Sequence, residues 1–415
     1  MAVITPRLLV FSSLFPSAVQ PNAGLFVRER MFRVGKHLPI VVVAPQPWFP
    51  GQQLIRWFRP HFRLMAAKRE VMDGVIVHRP RFLCVPGLLK WTDGLFMALC
   101  SFLTVRRVVR DHRINILDAH FGYPTGYAAV LLGRWLKLPV MLTLRGKEER
   151  QARTPVASAL KQAITGADQL ITVSTALRTL AIGQGADSAR VQVIGNGVDL
   201  TKFTSLPRRE ARRELRLPED AEVLVSAGTL VERKGFHRVI ECLPELLSAH
   251  PLLHFVIVGG AGPEGDISVK LRNLVRTLQL DDRVHFLGPY SSERLKVPLS
   301  AADVFVLATS YEGWANVFLE AMACGLPVVT TDVGGNAQVV NDRSLGRIVP
   351  FGDSKRLSEA IDEALRTSWD RPSIRAYAES NSWDRRMQPL IDAYHQLLVD
   401  GTKVEGRPLV ESSDA

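Results

Sequence analysis

Cysteine is scarce. The chain has four in 415 residues (Cys84, Cys100, Cys242 and Cys324), far apart and with no C-x-x-C pair. That argues against a disulfide framework or a cysteine-bound zinc site and fits a reducing cytoplasm. No run of 18 apolar residues occurs, so a membrane-spanning helix is not expected. No two aspartates are separated by a single residue. A D-x-D metal site therefore has no candidate, and no metal or other cofactor is expected. The loop after the first apolar run, "SSLFPSAVQPNAGLFVRER", lacks the G-x-G-x-x-G of a dinucleotide enzyme. Nor is there a block of consecutive Lys/Arg, a zinc finger or an RNA-binding pattern. Nucleic acid is accordingly not expected as a partner, although the formal charge is +11. An anionic small substrate and an acidic membrane surface both fit that sign.

What is present reads as globular: 47% hydrophobic and 22% charged residues. The length suggests two domains of roughly 180–200 residues. The opening "MAVITPRLLVFSSLF" has a short apolar run, a first charge at Arg7, and prolines at 16 and 21. It reads as a buried first strand and not as a signal peptide. Similar short, β-branched, non-alternating runs follow at 39–45, 74–78, 114–120, 139–146, 168–174 and 191–197, with helical stretches such as 154–166 and 175–183 between them. Such runs are expected of strands buried on both faces of a parallel sheet. The polar, proline-containing stretch 197–221 reads as an interdomain linker. The alternation then restarts, with strands at 222–228, 253–260, 283–288, 303–309 and 327–331 and helices near 235–249, 267–279 and 316–324. The expected fold class is α/β, with two doubly wound Rossmann-like domains facing across a cleft. The boundaries expected are 1–205 for the first and 206–380 for the second. A terminal helix within 381–400 is expected to pack back on the first domain, and 401–415 reads as a polar tail.

In such sheets ligands bind at the carboxyl ends of the strands. After 303–309 comes "SYEGWANVFLEAM", in which Gly313 permits a tight turn and Asn316 can cap a helix whose free N–H groups favour a phosphate. Glu320 lies four residues beyond Asn316 on the same helical face and can accept from a vicinal diol, while Glu312 sits on the loop. Both glutamates can equally be solvated surface charges. After 222–228, Arg233 and Lys234 precede Gly235 at a helix start, where two cations suit a diphosphate. "VGGAGPEGD" (258–266) is a further glycine-rich strand end without a Walker lysine. In the first half, Gly24 precedes a helix and can let backbone amides approach a ligand. His120 closes the run "INILDAH" and either donates toward the cleft, the reading preferred here, or is merely packed.

The stretches "EGWANVFLEAMACGLPVVTTDVGG", "ERKG", "GNGVDLTKF" and "VGGAGPEGD" together resemble the retaining glycosyltransferases of family 4, which have the GT-B fold. The likeness covers most of the chain. It implies a nucleotide-sugar donor, UDP- or GDP-linked, held by the C-terminal domain and an acceptor held by the N-terminal domain. It also implies that Glu320 binds the ribose, that Glu312 lies beside the donor sugar, and that the amides of Gly313, Trp314, Ala315, Asn316 and Val317 lie against sugar and phosphate. Arg233 and Lys234 would hold the diphosphate, His120 would lie near the donor sugar, and Gly24 would match the N-terminal glycine loop. The backbone from Leu287 through Gly288 to Tyr290 would cradle the base. His120, Glu312, Arg233 and Lys234 are the residues expected to act in catalysis. The resemblance suggests front-face displacement, with no nucleophilic role for Glu312. Three departures from the family's usual pattern stand out: Thr229 in place of an arginine, Arg145-Gly146 in place of His-Gly, and Gln338 in place of an acid.

For the acceptor, residues 48–69 interleave Trp48, Phe49, Trp57, Phe58 and Phe62 with Arg56, Arg59, Arg63, Lys68 and Arg69. Such a mixture suits the interface of an anionic bilayer, or else forms a flap on its own core. The expected function is transfer of a hexose to a glycan or polyprenyl-linked acceptor in surface-polysaccharide assembly. It would take place in the cytoplasm, with possible peripheral contact at the membrane's inner face. The alternatives are a nucleotide-sugar-binding partner subunit with weak catalysis and a sugar-nucleotide epimerase of the same architecture.

Overall fold

The structure, a computed structural model, describes residues 5–405 except 22, 59–62, 86, 88, 263 and 264. Contacts divide the chain into two compact units. One comprises the residues up to 195 together with those from 387 onward, and the other comprises Asn196–Arg386. The first break thus falls ten residues before the boundary expected at 205.

The first unit is built on β1 (Leu8–Phe11), β2 (Ile40–Val43), β3 (Gln46–Trp48), β4 (Arg69–Met72) and β5 (Val75–His78). After these come β6 (Arg81–Leu83), β7 (Ile116–His120), β8 (Val140–Leu144), β9 (Gln169–Thr172) and β10 (Val191–Val193). Eight of them form one sheet in the order β10-β9-β8-β7-β1-β2-β5-β4, and β3 pairs with β6 separately. Every residue of β1, β7 and β8 is buried, as befits strands covered by helices on both faces. All pairs in the main sheet are parallel except β4 with β5 at the edge. The basic and aromatic segment 48–69 is therefore partly regular: it begins at the end of β3, holds the helix Gln52–Phe58, and ends at the start of β4. Arg59 and Phe62 lie outside the described residues.

The second unit carries β11 (Glu222–Ala227), β12 (Leu253–Val258), β13 (Val284–Gly288), β14 (Val304–Leu307), β15 (Val328–Thr331) and β16 (Gly346–Val349). They form a parallel sheet in the order β13-β12-β11-β14-β15-β16. Phe236, Val239, Ile240 and Leu243 from the helix Phe236–Ala249 meet Phe255 of β12 and Ile361 of the helix Ser354–Arg366 in its core. Burying each such side chain stabilises by about 1.5–3 kcal/mol.

The stretch 197–221 is not a bare linker. It contains the helix Arg208–Glu214 and belongs to the second unit. Its Arg212 is buried because Ala301 O accepts from Nε at 3.0 Å and Asp303 Oδ2 from Nη2 at 2.8 Å. The last helix, Trp383–Glu405, runs five residues into the expected tail. Its residues from 387 belong to the first unit, where Leu390, Tyr394 and Leu397 are buried. Among the described residues no helix is long and apolar enough to cross a membrane.

Candidate functional site

Both sheets reverse their strand order at one point, and the loops bearing Arg233, Lys234, Glu312, Gly24 and His120 leave the strands on either side of it. In the second unit β11 lies between β12 and β14. Arg233 and Lys234 follow β11, while Glu312 follows β14, so two loops diverge from neighbouring strand ends. That is where open α/β sheets form a crevice.

Backbone proximity ties these loops together. Gly235 has φ 73°, and a Cβ on it would lie 1.9 Å from the Ala308 carbonyl oxygen. Ser310 N donates to Arg233 O at 2.8 Å, and the Thr309 hydroxyl donates to the same oxygen at 3.0 Å. Arg233 Nη1 then donates to Tyr311 O at 2.9 Å and to Glu312 Oε1 at 3.1 Å. Lys234 Nζ donates to that same carboxylate oxygen. From the other side Gly334, at φ 54°, passes so close that a Cβ would lie 1.7 Å from Glu312 O. Glu312 is buried, and Arg233 and Lys234 meet on it.

The helix that follows begins one residue earlier than a cap at Asn316 requires. Ala315 is the N-cap, Asn316 is the first helical residue, and no side chain caps the end. Instead Asn316 Oδ1 accepts from Asn196 Nδ2 at 2.9 Å, which draws its side chain away from a capping role. The free amides of this turn therefore remain a feature of Gly313, Trp314, Ala315, Asn316 and Val317 as backbone. Glu320 is half-buried one turn along and close to Cys324, whose thiol burial pushes up to about 12 with a further push from that carboxylate. Leu287, Gly288 and Tyr290 close β13 at the sheet edge. Gly288 has φ 74°, and Arg294 stacks 5.0 Å from the Tyr290 ring centroid.

In the first unit β1 lies between β2 and β7, so the Gly24 loop and His120 flank the corresponding reversal. Gly24 is the N-cap of the helix Leu25–Val34 at φ 69°, with Leu14 O only 2.3 Å from where a Cβ would stand. His120 is fully buried. Arg145 covers it, with Nη2 3.3 Å and Nε 3.4 Å from Nδ1, and its guanidinium lies over the Phe26 ring. An arginine at Nδ1 leaves the proton on Nε2, which lies 3.4 Å from Asp118 Oδ2. Burial, then the charges of Arg145 and Arg30, hold His120 well below the usual histidine range, so the ring is neutral. Burial also pushes the Asp118 carboxyl up to about 7, although Tyr394, Arg30 and Arg145 pull the other way. Tyr394 comes from the last helix, and Arg30 donates to Ile194 O at 2.6 Å.

Further residues shape these sites in ways the sequence did not show. Fully buried Glu148 accepts from the amides of Gly122 (3.0 Å), Arg145 (3.2 Å) and Gly146 (2.6 Å), joining the loops after β7 and β8. Trp314 was singled out for its backbone, yet its indole Nε1 is buried without a hydrogen-bond partner among the described residues. Gly334 and Gly335 stood in the quoted "TTDVGG", and the doubled glycine was the available signal. Of the two glycines in "VGGAGPEGD" that close β12, Gly259 is the steric one: a Cβ on it would lie 1.8 Å from Gly228 O. Among the described residues no three His, Cys, Asp or Glu side chains are grouped to hold a metal ion.

Comparison with known proteins now bears directly on this arrangement. The family described as Glycosyl transferases group 1 matches residues 207–381, and that described as Glycosyltransferase Family 4 matches residues 90–202. A D-inositol 3-phosphate glycosyltransferase of Acidothermus cellulolyticus is 33% identical over 336 residues, 74% of each chain. A glycosyltransferase of Bacillus subtilis named for teichuronic acid biosynthesis is 29% identical over 364 residues, 86% of this chain and 88% of its own. Among solved structures, sucrose-phosphate synthase of Thermosynechococcus elongatus superposes with a TM-score of 0.72 at 20% identity, covering 96% of this chain and all of its own. Anabaena HepE in complex with UDP gives a TM-score of 0.69 at 19% identity, with coverage of 96% and 100%. The epimerase and non-catalytic readings gain nothing from these matches. With two Rossmann-like units and both sequence patterns in place, the chain belongs to the family 4 glycosyltransferases of GT-B fold.

Proposed function

We propose that the protein is a retaining hexosyltransferase that takes a UDP- or GDP-linked sugar and works without a metal ion. Its acceptor is a glycan or polyprenyl-linked sugar of a surface polysaccharide, met at the inner face of the cytoplasmic membrane. The observation that carries this reading is the convergence of Arg233 and Lys234 on Glu312 beside the uncapped start of the helix Asn316–Ala323. Two cations and a set of free amides at a strand-order reversal make a site for a diphosphate. The UDP held by HepE and the teichuronic acid role in the Bacillus relative's name support the donor and acceptor classes.

In the reaction the anomeric C–O bond to the diphosphate breaks and a bond from the acceptor oxygen forms on the same face. The acceptor's proton passes to the leaving phosphate oxygen. Arg233, Lys234 and the helix amides stabilise the charge that builds on the leaving group, as an oxyanion hole does. Glu320 accepts from the ribose diol, and the 287–290 backbone faces the base.

A thermal-shift panel of UDP-, GDP- and ADP-sugars tests the donor class, because a ligand that binds only the folded chain raises its apparent stability. One nucleotide series should give a clear upward shift, and transfer with that series should persist in excess EDTA. No shift with any nucleotide sugar would overturn the reading. Activity lost in EDTA and restored by Mg²⁺ would overturn its metal-free part.

A further inference from the structure

We propose that the outward face of the helix Asp93–His112 is a docking surface for an anionic lipid bilayer. This deepens the lipid-linked-acceptor reading above, on which its purpose rests. The binding itself is independent of any donor.

The helix packs on the first unit through Met97, Ala98, Ser101, Val105 and Val108. Its opposite side does not turn polar in the usual way. Leu95, Leu99 and Leu103 are exposed, Leu103 to 71%, and they recur at intervals of four, which sets them along one stripe. Trp91, exposed just before the helix, continues the stripe at the same interval. Three apolar side chains left in water along one row are not a solvated face.

The charge on that face then identifies what covers it. At 100° per residue, Arg106, Arg107 and Arg110 project from the same side as the leucines, further along the helix, and all three are exposed. From Leu95 to Arg110 the axis advances about 22 Å, passing from an apolar half to a cationic half. The acids of this helix offset only part of that charge, at Arg110, and none at Arg106 or Arg107 among the described residues. Asp93 is buried and bonded to Lys90 at 3.2 Å, and Asp111 pairs with Arg110 at its far end.

Neighbouring elements extend the pattern. On the adjoining helix Tyr127–Leu136, Trp135 meets Phe102 edge-on at 5.8 Å and is itself exposed, next to exposed Arg134 and followed by exposed Lys137. Cys84 joins a third element: Arg63 Nη1 donates to its carbonyl at 2.6 Å, and Lys90 Nζ lies 3.3 Å from its sulfur. Arg63 is thereby held beside the start of the Asp93–His112 helix. The short helix Gln52–Phe58 carries exposed Trp57 and Phe58, at 78% and 86%. Leucines that enter acyl chains, tryptophans suited to the headgroup level and cations facing phosphates are the combination an anionic interface selects.

Vesicle co-sedimentation with the full chain provides the test. Binding to phosphatidylglycerol vesicles should exceed binding to phosphatidylcholine by about ten-fold or more and should weaken at high salt. Leu95→Gln/Leu99→Gln/Leu103→Gln and, separately, Arg106→Gln/Arg107→Gln/Arg110→Gln should each lower it by a similar factor. The thermal shift given by UDP should not change in either variant. Exposed Cys100 supplies a readout without altering the stripe, since the other three cysteines are buried. A polarity-sensitive thiol label there should shift its emission to the blue on phosphatidylglycerol vesicles. The proposal is overturned by equal binding to both lipids, by leucine variants that bind like the wild type, or by an unmoved label. A dimer that the leucine variants dissociate while vesicle binding persists would also overturn it, in favour of a second copy of this chain. Vesicle binding without any nucleotide shift would leave the docking face standing and remove only the donor reading.

Discussion

Lys234 and Arg233 find their counter-charge within the chain, on a single oxygen of Glu312. A donor diphosphate that reaches these cations has to share them with that carboxylate. Lys234→Ala should therefore lower transfer by roughly 2–4 kcal/mol of transition-state stabilisation, read as kcat/KM, with thermal stability little changed. Glu312→Gln should separate binding from chemistry. The donor's nucleoside diphosphate alone should bind more tightly, because the competing anion is gone, while sugar transfer falls; calorimetry and initial rates check the two halves. Asp118 governs a pH response. Its folded pKa of about 7 lies above the unfolded value near 4, so the folded chain keeps a proton that the unfolded chain has lost. That contribution to stability is complete below about pH 4, drains away up to about 7 and is level beyond. His120, held neutral by burial, acts in the opposite sense on the acid side of its ordinary range. The melting temperature of Asp118→Asn should accordingly fall less between pH 5 and 7 than that of the wild type. Arg233, Lys234 and Glu312 stood out in the sequence because they follow strand ends within "ERKG" and "EGWANVFLEAM", the stretches that carry the resemblance to family 4. Glu148 was not, since only the folded backbone shows three amides aimed at one carboxylate.

At the scale of elements, the strands that read clearly were those buried on both faces, where a run of β-branched residues is the whole signal. Four others gave none: β3 and β6, of three residues each, and two longer ones. The β4 sequence REVM lies exposed at a sheet edge, and the β16 sequence GRIV carries an arginine in four residues. The helix Arg208–Glu214 passed for linker because its charge count hides one arginine that bonds inward. Turn glycines were visible as letters, but what they approach was not. Gly334 is the sharpest case: a side chain there needs a left-handed backbone, which costs about 1–2 kcal/mol, and strikes the Glu312 carbonyl. Gly334→Ala should displace the Glu312 loop. The expected outcome is a lower melting temperature together with loss of the thermal shift that the donor nucleotide gives the wild type. A variant that keeps the full shift would show that the loop tolerates the displacement.

For the molecule as a whole, the C-terminal residues complete the N-terminal unit. Leu390, Tyr394 and Leu397 are buried there, and at about 1.5–3 kcal/mol each they rival the net stability of a domain. A chain ended after Arg386 should lose soluble expression and protease resistance in its first unit, whereas one ended after Glu405 should retain both. This arrangement also sets a timetable. On a ribosome the strands from Leu8 to Val193 emerge first, but the helix bearing Tyr394 appears only after residues 196–386 have been made. At typical rates of synthesis that interval is roughly 10–40 s. Throughout it, the part of the protein born first holds Asp118, Arg30 and Arg145 without the tyrosine that meets them, and waits on the last helix to finish its fold.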